Sequence, residues 1–459
     1  MDSHFQICLT ACLTCSLMTT TWMTTVINLL TSVTIKQGLS WFLAVAGLLI
    51  IDFYVLSGIK GSSQKWRFLQ RKPFAVTYWV ISFLIIAGFL LVFFSRLEFG
   101  IRMILLILFF LDLLFKVCFV PFILIDDIRR VLLYFRSTSE ERLPEKPADQ
   151  SNQFDIPRSA FLMKAGLLAG AIPLAAVRVT MKNELYDYHI KRQTIYLPNL
   201  PKAFDGIRIG QISDIHSGNF FKKRAVLGGV EMLMREKADL IFFTGDLVDA
   251  RSSEMEDYLD IFSRIKAPLG VYSSTGNHDY GDYADWPNIA AKEKNLADLI
   301  TTHKNMGWNL LMNENRRLKV DGEEIGILGV ENWSELSWTP KHGRMDLAVK
   351  NTDDLPVKLL LSHDPSHWRA QILPQYPQID VMFSGHTHGM QLGVRTDHFQ
   401  WSPVEYIFKE WAGLYNQGLQ QLYVNVGYGF FNVQGRVGIL PEITIFELKA
   451  ATGSPLIKC

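Results

Sequence analysis

The second half of the chain contains five short apolar segments, each followed directly by a polar cluster. They occupy residues 207–213, 240–244, 271–275, 357–362 and 381–384. The segments are rich in β-branched and aromatic residues, and helix-like stretches such as 225–237 lie between them, which predicts strands alternating with helices. Because α/β sheets carry functional side chains where their strands end, the pattern predicts an α/β domain with a site at one edge of the sheet.

The five polar clusters contain Asp, Asn and His, the residue types that bind divalent metal ions. In chain order they are Asp214-Ile-His216, Gly245-Asp246-Leu-Val-Asp249, Gly276-Asn277-His278-Asp279, Ser362-His363-Asp364 and Gly385-His386-Thr-His388. One such cluster alone is more often a turn, a helix cap or a hydrogen-bonded core histidine than a metal site. Five of them at equivalent strand ends predict a metal centre.

Taken in order, the motifs DxH, GDxxD, GNHD, a lone His and GHTH resemble those of the calcineurin-like metallophosphoesterase superfamily. The resemblance covers residues 207–448 and leaves out the apolar N-terminal part. Gln391, after the GHTHGM segment, and residues 427–442 are similar to a membrane-associated bacterial branch that includes UDP-diacylglucosamine hydrolase-like phosphodiesterases. The resemblance implies an α/β fold of the four-layer αββα sandwich type.

The resemblance also implies a centre of two divalent ions, with Mn, Fe or Zn as candidates. The ligands would be Asp214, His216 and His388 for one ion and Asn277, His363 and His386 for the other, with Asp246 bridging both. His278 would contact the phosphate or protonate the leaving group, and Asp249 would orient His278. Because two ions that share a carboxylate and a water molecule lower the pKa of that water, hydrolysis would need no Ser or Cys nucleophile.

Long apolar runs fill the first part of the chain. A membrane-spanning helix needs about 20 apolar residues, and the segments that qualify clearly are 39–59, 74–94 and 101–125. The Thr-rich segment 9–33 is a possible extra span, unless Met23 is the true start. Residues 137–158 have the composition of a polar linker. The sequence thus predicts an all-α transmembrane region over residues 1–136, ahead of a catalytic domain over residues 200–450.

The orientation of the catalytic domain depends on residues 159–180, which form a fourth span or a signal-anchor-like segment interrupted by Gly and Pro. Basic residues cluster in the loop 60–72 and again over 129–158, and the positive-inside rule places both loops in the cytoplasm. If residues 159–180 cross the membrane, the catalytic domain lies on the extracytoplasmic side of the cell membrane.

Ionisable residues within the predicted spans are costly and suggest function by default. They are Asp52, Asp112 and Lys116, and the last two are four residues apart on one helix face, where they can neutralise each other. A role of these three residues in helix packing is therefore favoured over a role in transport.

The aromatic segment 399–411 allows two interpretations: it either packs within the domain or touches the bilayer surface.

The predicted function is metal-dependent hydrolysis of a phosphodiester, pyrophosphate or phosphomonoester at the membrane, on a lipid or cell-envelope substrate. The alternative is a membrane receptor or regulator whose phosphoesterase domain binds ligand without turnover.

The net charge of +1 argues against nucleic acid as a partner, because binding to nucleic acid needs a positively charged surface. Four of the five cysteines precede residue 119 and the fifth is Cys459, so the catalytic domain has no internal disulfide framework.

Overall fold

The computed structural model describes residues 37–61, 69, 71–95, 99–137, 161–162, 164–172, 175, 185–337, 339–396, 398–431 and 435–451. The chain divides into two compact units, Met1–Val179 and Thr180–Cys459. The possible span at 9–33 and the linker residues 138–158 lie outside the described residues. Those two assignments stay predictions, as do the predicted domain boundaries.

Within the described residues, the first unit contains three long apolar helices: α1 (Gln37–Gly61), α2 (Lys72–Phe94) and α3 (Phe99–Ser137). Each includes a stretch long and apolar enough to cross a membrane, namely Trp41–Lys60, Lys72–Phe94 and Leu108–Arg129. Large apolar side chains such as Phe42 and Leu84 are exposed, as expected for helices that face lipid. Helix α3 continues well beyond residue 125, where the sequence placed the end of its span. The described residues of segment 159–180 are helical as well.

A buried polar network joins α1, α2 and α3. The Lys116 ammonium lies 2.7 Å from Asp52 Oδ1 and 2.5 Å from Asp112 Oδ2. The hydroxyls of Tyr78 and Ser82 donate to the Asp52 carboxylate at 2.8 and 2.6 Å. The expected Asp112–Lys116 pair is therefore present, but Lys116 also neutralises Asp52 from a different helix. Since a charge in an apolar surrounding is costly when unpaired, the network fixes how these helices pack.

The second unit is built mainly of strands. Its strands are β1 (His189–Leu197), β2 (Arg208–Ile212), β3 (Leu240–Thr244), β4 (Val271–Ser274), β5 (Asn309–Leu310), β6 (Glu314–Val320), β7 (Glu323–Gly329), β8 (Lys358–Leu361), β9 (Val381–Ser384), β10 (Val394–Arg395), β11 (Gln400–Trp401), β12 (Gly413–Gln417), β13 (Gln420–Val424) and β14 (Glu442–Ala450). Its helices are α4 (Lys223–Arg235), α5 (Leu259–Phe262), α6 (Ile289–Met306), α7 (Met345–Ala348) and α8 (Leu373–Gln375), with a π-helical turn at Trp368–Ile372.

In the described part of the chain, these strands form two six-stranded mixed sheets and one two-stranded ribbon. The sheet orders are β1-β14-β2-β3-β4-β5 and β12-β13-β9-β8-β7-β6, and β10 pairs with β11. Strands β2, β3 and β4 are mutually parallel, and so are β8 and β9. Within each sheet these strands therefore end at the same edge.

The two sheets pack face to face and helices cover their outer faces. Phe242 of β3 contacts Phe383 of β9, with ring centroids 5.0 Å apart, in a core that both sheets share. On the outer face of the first sheet, Leu233 of α4 packs in a core with Phe243. On the outer face of the second, Trp368 packs in a core with Met382. This arrangement confirms the predicted αββα fold class.

The buried network of the first unit gives a testable expectation. Lys116→Met leaves the buried Asp52 carboxylate without its cation, and breaking a buried pair in this way costs about 3–5 kcal/mol. We expect a lower thermal unfolding midpoint of the full chain in detergent. The double variant Asp52→Asn/Lys116→Met removes the two most deeply buried charges and leaves only the partly exposed Asp112 carboxylate unpaired, so it should recover most of the loss. Lys164→Met, at an exposed helical position, is the matched control, and a single variant as stable as the parent would contradict the assignment.

Candidate metal centre

The predicted ligands lie in the loops that leave the carboxyl ends of β2, β3, β4, β8 and β9. Five of the seven predicted ligands have left-handed backbone, with φ between 47° and 71°: Asp214, His216, Asp246, His386 and His388. For residues other than Gly this conformation costs of order 1–3 kcal/mol and persists only where the surroundings enforce it. Such strain concentrated in one set of loops is typical of a functional site.

The loops bring the predicted side chains into two neighbouring groups. In the first, His388 Nε2 lies 3.0 Å from His216 Nε2 and 3.3 Å from Asp214 Oδ1. In the second, His363 Nε2 lies 3.0 Å from Asp246 Oδ2 and 3.2 Å from His386 Nδ1. Asp246 is also within reach of the first group, because its Oδ2 lies 3.6 Å from His216 Nε2.

The chemistry of these atoms fits metal ions. Two pairs of ring nitrogens lie only 3.0 and 3.2 Å apart, a spacing that fits two ligands of one ion. Asn277 Oδ1 is buried and has no hydrogen-bond partner within the described part of the chain, although a buried amide oxygen normally has one. Each group combines imidazole nitrogens with carboxylate oxygens, the donor set of Zn, Mn and Fe sites. The residues present therefore suit divalent ions.

Close backbone approach explains two glycines of the motifs. A Cβ at Gly276 would overlap the Asp246 carboxylate, and a Cβ at Gly385 would overlap Ser213 Oγ and the Asp214 carboxylate. The absence of a side chain at these positions lets the backbone N–H groups reach the ligands. His386 N–H donates to the Asp214 carboxylate at 3.0 Å, and His278 N–H donates to Asp246 Oδ1 at 2.9 Å.

A main-chain contact sets the tautomer of His363. Its Nδ1 lies 2.7 Å from the carbonyl oxygen of Thr244, and because a carbonyl only accepts, Nδ1 carries a proton, so that loss of the second proton frees the Nε2 lone pair. Burial disfavours the charged ring, but Asp246 and Asp214 outweigh it and raise the pKa of His363 to about 10. The centre therefore stabilises positive charge at this position.

His278 faces the same centre, and its ring is oriented by Asp249 through the main chain. His278 Nδ1 lies 2.6 Å from the Asp249 carbonyl oxygen, so Nδ1 donates and Nε2 is left available. Burial lowers the pKa of His278 to about 4. The Asp249 carboxylate has a different neighbour, since its Oδ1 lies 3.3 Å from His216 Nδ1. Asp249 thus contacts two of the predicted residues, one with its backbone and one with its side chain.

Asp279, the last residue of the GNHD motif, supports the ligand loops. Its buried carboxylate accepts hydrogen bonds from the N–H groups of Asp246, Leu247 and Gly276 at 2.9–3.0 Å. Burial and the neighbouring Asp246 carboxylate raise the pKa of Asp279 to about 7. The side chain connects the loop after β3 to the loop after β4, and so positions Asp246 and Asn277.

Tyr283 and Arg436 also contact the centre, and no sequence signal marked either. The Asn277 amide Nδ2 donates to the Tyr283 hydroxyl at 2.9 Å, which leaves Oδ1 as the free amide atom. The Tyr283 ring lies against His278, with centroids 4.4 Å apart. Arg436 is fully buried, and its Nη2 lies 3.4 Å from His388 Nδ1 while donating to the carbonyl oxygen of Gly429 at 2.5 Å. Burial lowers the pKa of Arg436 to about 10.

Two family profiles match this architecture. The calcineurin-like phosphoesterase profile matches residues 207–390, which hold all nine predicted site residues. A profile described as a probable calcineurin-like phosphoesterase transmembrane domain matches residues 37–183. The fold, the cluster of His and Asp side chains and these matches define a metal-dependent phosphoesterase class. The chain contains a calcineurin-like phosphoesterase domain, preceded by a segment that matches the transmembrane-domain profile.

Several relatives match about half of the chain. The uncharacterized metallophosphoesterase YkuE of Bacillus subtilis is 27% identical over 260 residues, which are 56% of this chain and 84% of that protein. The transmembrane protein with metallophosphoesterase domain of Danio rerio is 28% identical over 269 residues, 56% of each chain. The UDP-2,3-diacylglucosamine pyrophosphatase LpxG of Chlamydia trachomatis is 28% identical over 282 residues, 50% of this chain and 81% of that protein.

The role of Asp279 can be measured directly. In Asp279→Asn, one amide oxygen replaces two carboxylate oxygens, and the new NH₂ group faces backbone donors. Hydrogen bonds to a charged group contribute about 1.5–3 kcal/mol each, so we expect the amides of residues 246, 247 and 276 to exchange with deuterium at least tenfold faster. Asp346→Asn, at an exposed carboxylate, is the control. Unchanged exchange at these three amides would show that Asp279 does not hold the loops.

Proposed function

We propose that the protein hydrolyses phosphoesters with a centre of two divalent ions. The position of Asp246 carries this proposal: one oxygen, Oδ2, lies 3.0 Å from His363 Nε2 and 3.6 Å from His216 Nε2. A carboxylate oxygen that faces ligands of both groups supports a bridging role for Asp246 between two ions. The family supports hydrolase activity and the use of divalent metals, and the number of ions is part of the proposal.

In this proposal each ion has ligands from both sheets. One ion would be held by Asp214, His216 and His388, the other by Asn277, His363 and His386, and Asp246 would bind both. When bound, the ions would activate a water molecule and neutralise charge on the attacked phosphoryl group. The protein contributes rigid ligand geometry, because the backbone contacts of His363 and Asp214 hold their side chains before any ion arrives.

His278 is the proposed group that acts on the substrate. Because its Nδ1 is held by the Asp249 carbonyl oxygen, Nε2 is the ring atom that contacts the phosphoryl oxygen or exchanges a proton with the leaving group. The edge of the ring lies against Phe431, with centroids 4.8 Å apart. Tyr283 and Phe431 thus fix the ring plane from two sides.

We propose a lipid or cell-envelope phosphoester as the substrate. A phosphodiester or pyrophosphate bond is favoured over a phosphomonoester. Two observations support this class. The catalytic unit shares its chain with helices apolar enough to span a membrane, and a relative, LpxG, is named as a pyrophosphatase of UDP-2,3-diacylglucosamine.

Turnover provides the first test. We expect the full chain in detergent to hydrolyse bis(p-nitrophenyl) phosphate with Mn²⁺ and not after chelation. Asp246→Asn should abolish the rate, because a neutral amide is a poor bridge between two cations. His278→Ala should lower kcat by about 10²–10⁴, the usual contribution of a proton-transferring group.

Matched controls separate these effects from general damage. Asp346→Asn and His189→Ala change exposed residues of the same unit and should retain parental rates. If the chain binds two Mn²⁺ ions yet hydrolyses neither this probe nor lipid phosphoesters, hydrolysis is wrong and the reading as a ligand-binding regulator gains support.

We further propose that the catalytic unit lies on the extracytoplasmic side of the membrane, with residues 159–180 as a fourth span. The basic residues near Lys60 and Arg71 support this orientation through the positive-inside rule. In a chain whose five native cysteines are replaced by Ser, a membrane-impermeant maleimide should label Asp346→Cys in intact cells. Arg71→Cys should react only after permeabilisation. The reverse pattern would place the catalytic unit in the cytoplasm.

A further inference from the structure

The segment that follows the last two predicted ligands exposes apolar side chains. Met390, Leu392, Val394, Phe399 and Ile407 are between 39% and 59% exposed, and we call them the hairpin surface. They lie on the loop after His388, on the β10–β11 ribbon and on the short helical turn that follows it. Scattered apolar residues on a protein surface need no explanation, whereas a group on one small element marks an interaction site.

The ribbon is inverted relative to an ordinary surface hairpin. Leu392 and Val394 are two residues apart and both face solvent, while the next residue, Arg395, turns inward to an ion pair with the buried Glu442. In a surface ribbon the apolar side normally packs on the protein and the charged side faces water. Here the charge is buried and the apolar side is outward. Phe399 lies at the tip, in the turn closed by Thr396 N–H donating to the Phe399 carbonyl oxygen at 2.8 Å.

The hairpin surface is firmly joined to the metal centre. Ser402 Oγ donates to the Gly389 carbonyl oxygen at 2.7 Å, one residue beyond His388. The buried Phe408 ring packs edge-on against the His386 ring, with centroids 5.3 Å apart. Thr387 Oγ1 donates to the Trp411 carbonyl oxygen at 2.7 Å. The aromatic segment 399–411 therefore divides: Phe408 and Trp411 pack inside, and Phe399 and Ile407 remain outside.

We infer that the hairpin surface docks on a lipid bilayer and holds the metal centre at the level of the lipid headgroups. The chain itself argues for this occupant. Its N-terminal helices are apolar enough to span a membrane, so the catalytic unit is tethered to any bilayer that holds them. Exposed Phe, Leu, Val and Ile side chains gain free energy by leaving water for the acyl boundary.

The test measures contact with lipid and needs no catalysis, so its outcome is independent of the proposed function. The full chain, with its native cysteines replaced by Ser, carries bimane on Phe399→Cys. It is reconstituted in nanodiscs of phosphatidylethanolamine and phosphatidylglycerol whose acyl chains are brominated or unbrominated. Bromine quenches bimane only at close range, so we expect quenching at position 399.

Leu419 provides the matched control, because it is 56% exposed against 59% for Phe399 and lies in the turn at the opposite end of β13 from the metal centre. Bimane on Leu419→Cys should not be quenched, and Val394→Asp should reduce quenching at position 399. Quenching at neither position, or equally at both, overturns the inference. A label at 399 that is shielded from water but insensitive to bromine would mean that a protein or a second copy covers the surface, which also overturns it.

Discussion

The metal centre depends on buried carboxylates that bind backbone N–H groups of neighbouring loops. Asp279 accepts from the loop after β3 while it belongs to the loop after β4, and Asp246 accepts in return from the His278 N–H. Glu254 joins the loop after β2 to the loop after β3, since it accepts from the N–H groups of Gly218 and Asp249. These bonds stabilise left-handed backbone at residues that would otherwise avoid it, and they strengthen as the acceptor carboxylate ionises.

The strands that position the centre could be predicted closely from the sequence. Residues 240–244 and 381–384 are strands with the predicted limits, and the other three predicted strands differ by a residue or two at their ends. These segments are short, apolar and buried on both faces, so the local sequence pattern is sufficient to predict them as strands. The motif residues were found for a different reason: unusual residue types at strand ends recur in a fixed order. Whether each binds an ion in the proposed manner stays a prediction.

Partners that are distant in sequence were not predictable. The carboxylate of Asp249 faces His216 while its carbonyl holds His278, and residue types alone do not distinguish the two contacts. Tyr283 follows the GNHD motif in a loop without periodicity, so nothing in its surroundings indicates a bond to Asn277. The same limit applies in the first unit. Asp112 and Lys116 were paired by their spacing on one helix, whereas Asp52 joins them only through the packing of α1 against α3.

One segment of the chain carries both two proposed ligands of the metal centre and the hairpin surface. His386 and His388 lie at its start and the hairpin surface lies farther along it, so any force that orients the ribbon acts on the loop that holds two of the proposed ligands. The inward Arg395–Glu442 pair resists rotation of the ribbon, because turning the apolar side inward would expose Glu442 and leave Arg395 without its partner. The buried ion pair thus keeps the apolar side of the ribbon outward, as a surface that docks on lipid would need.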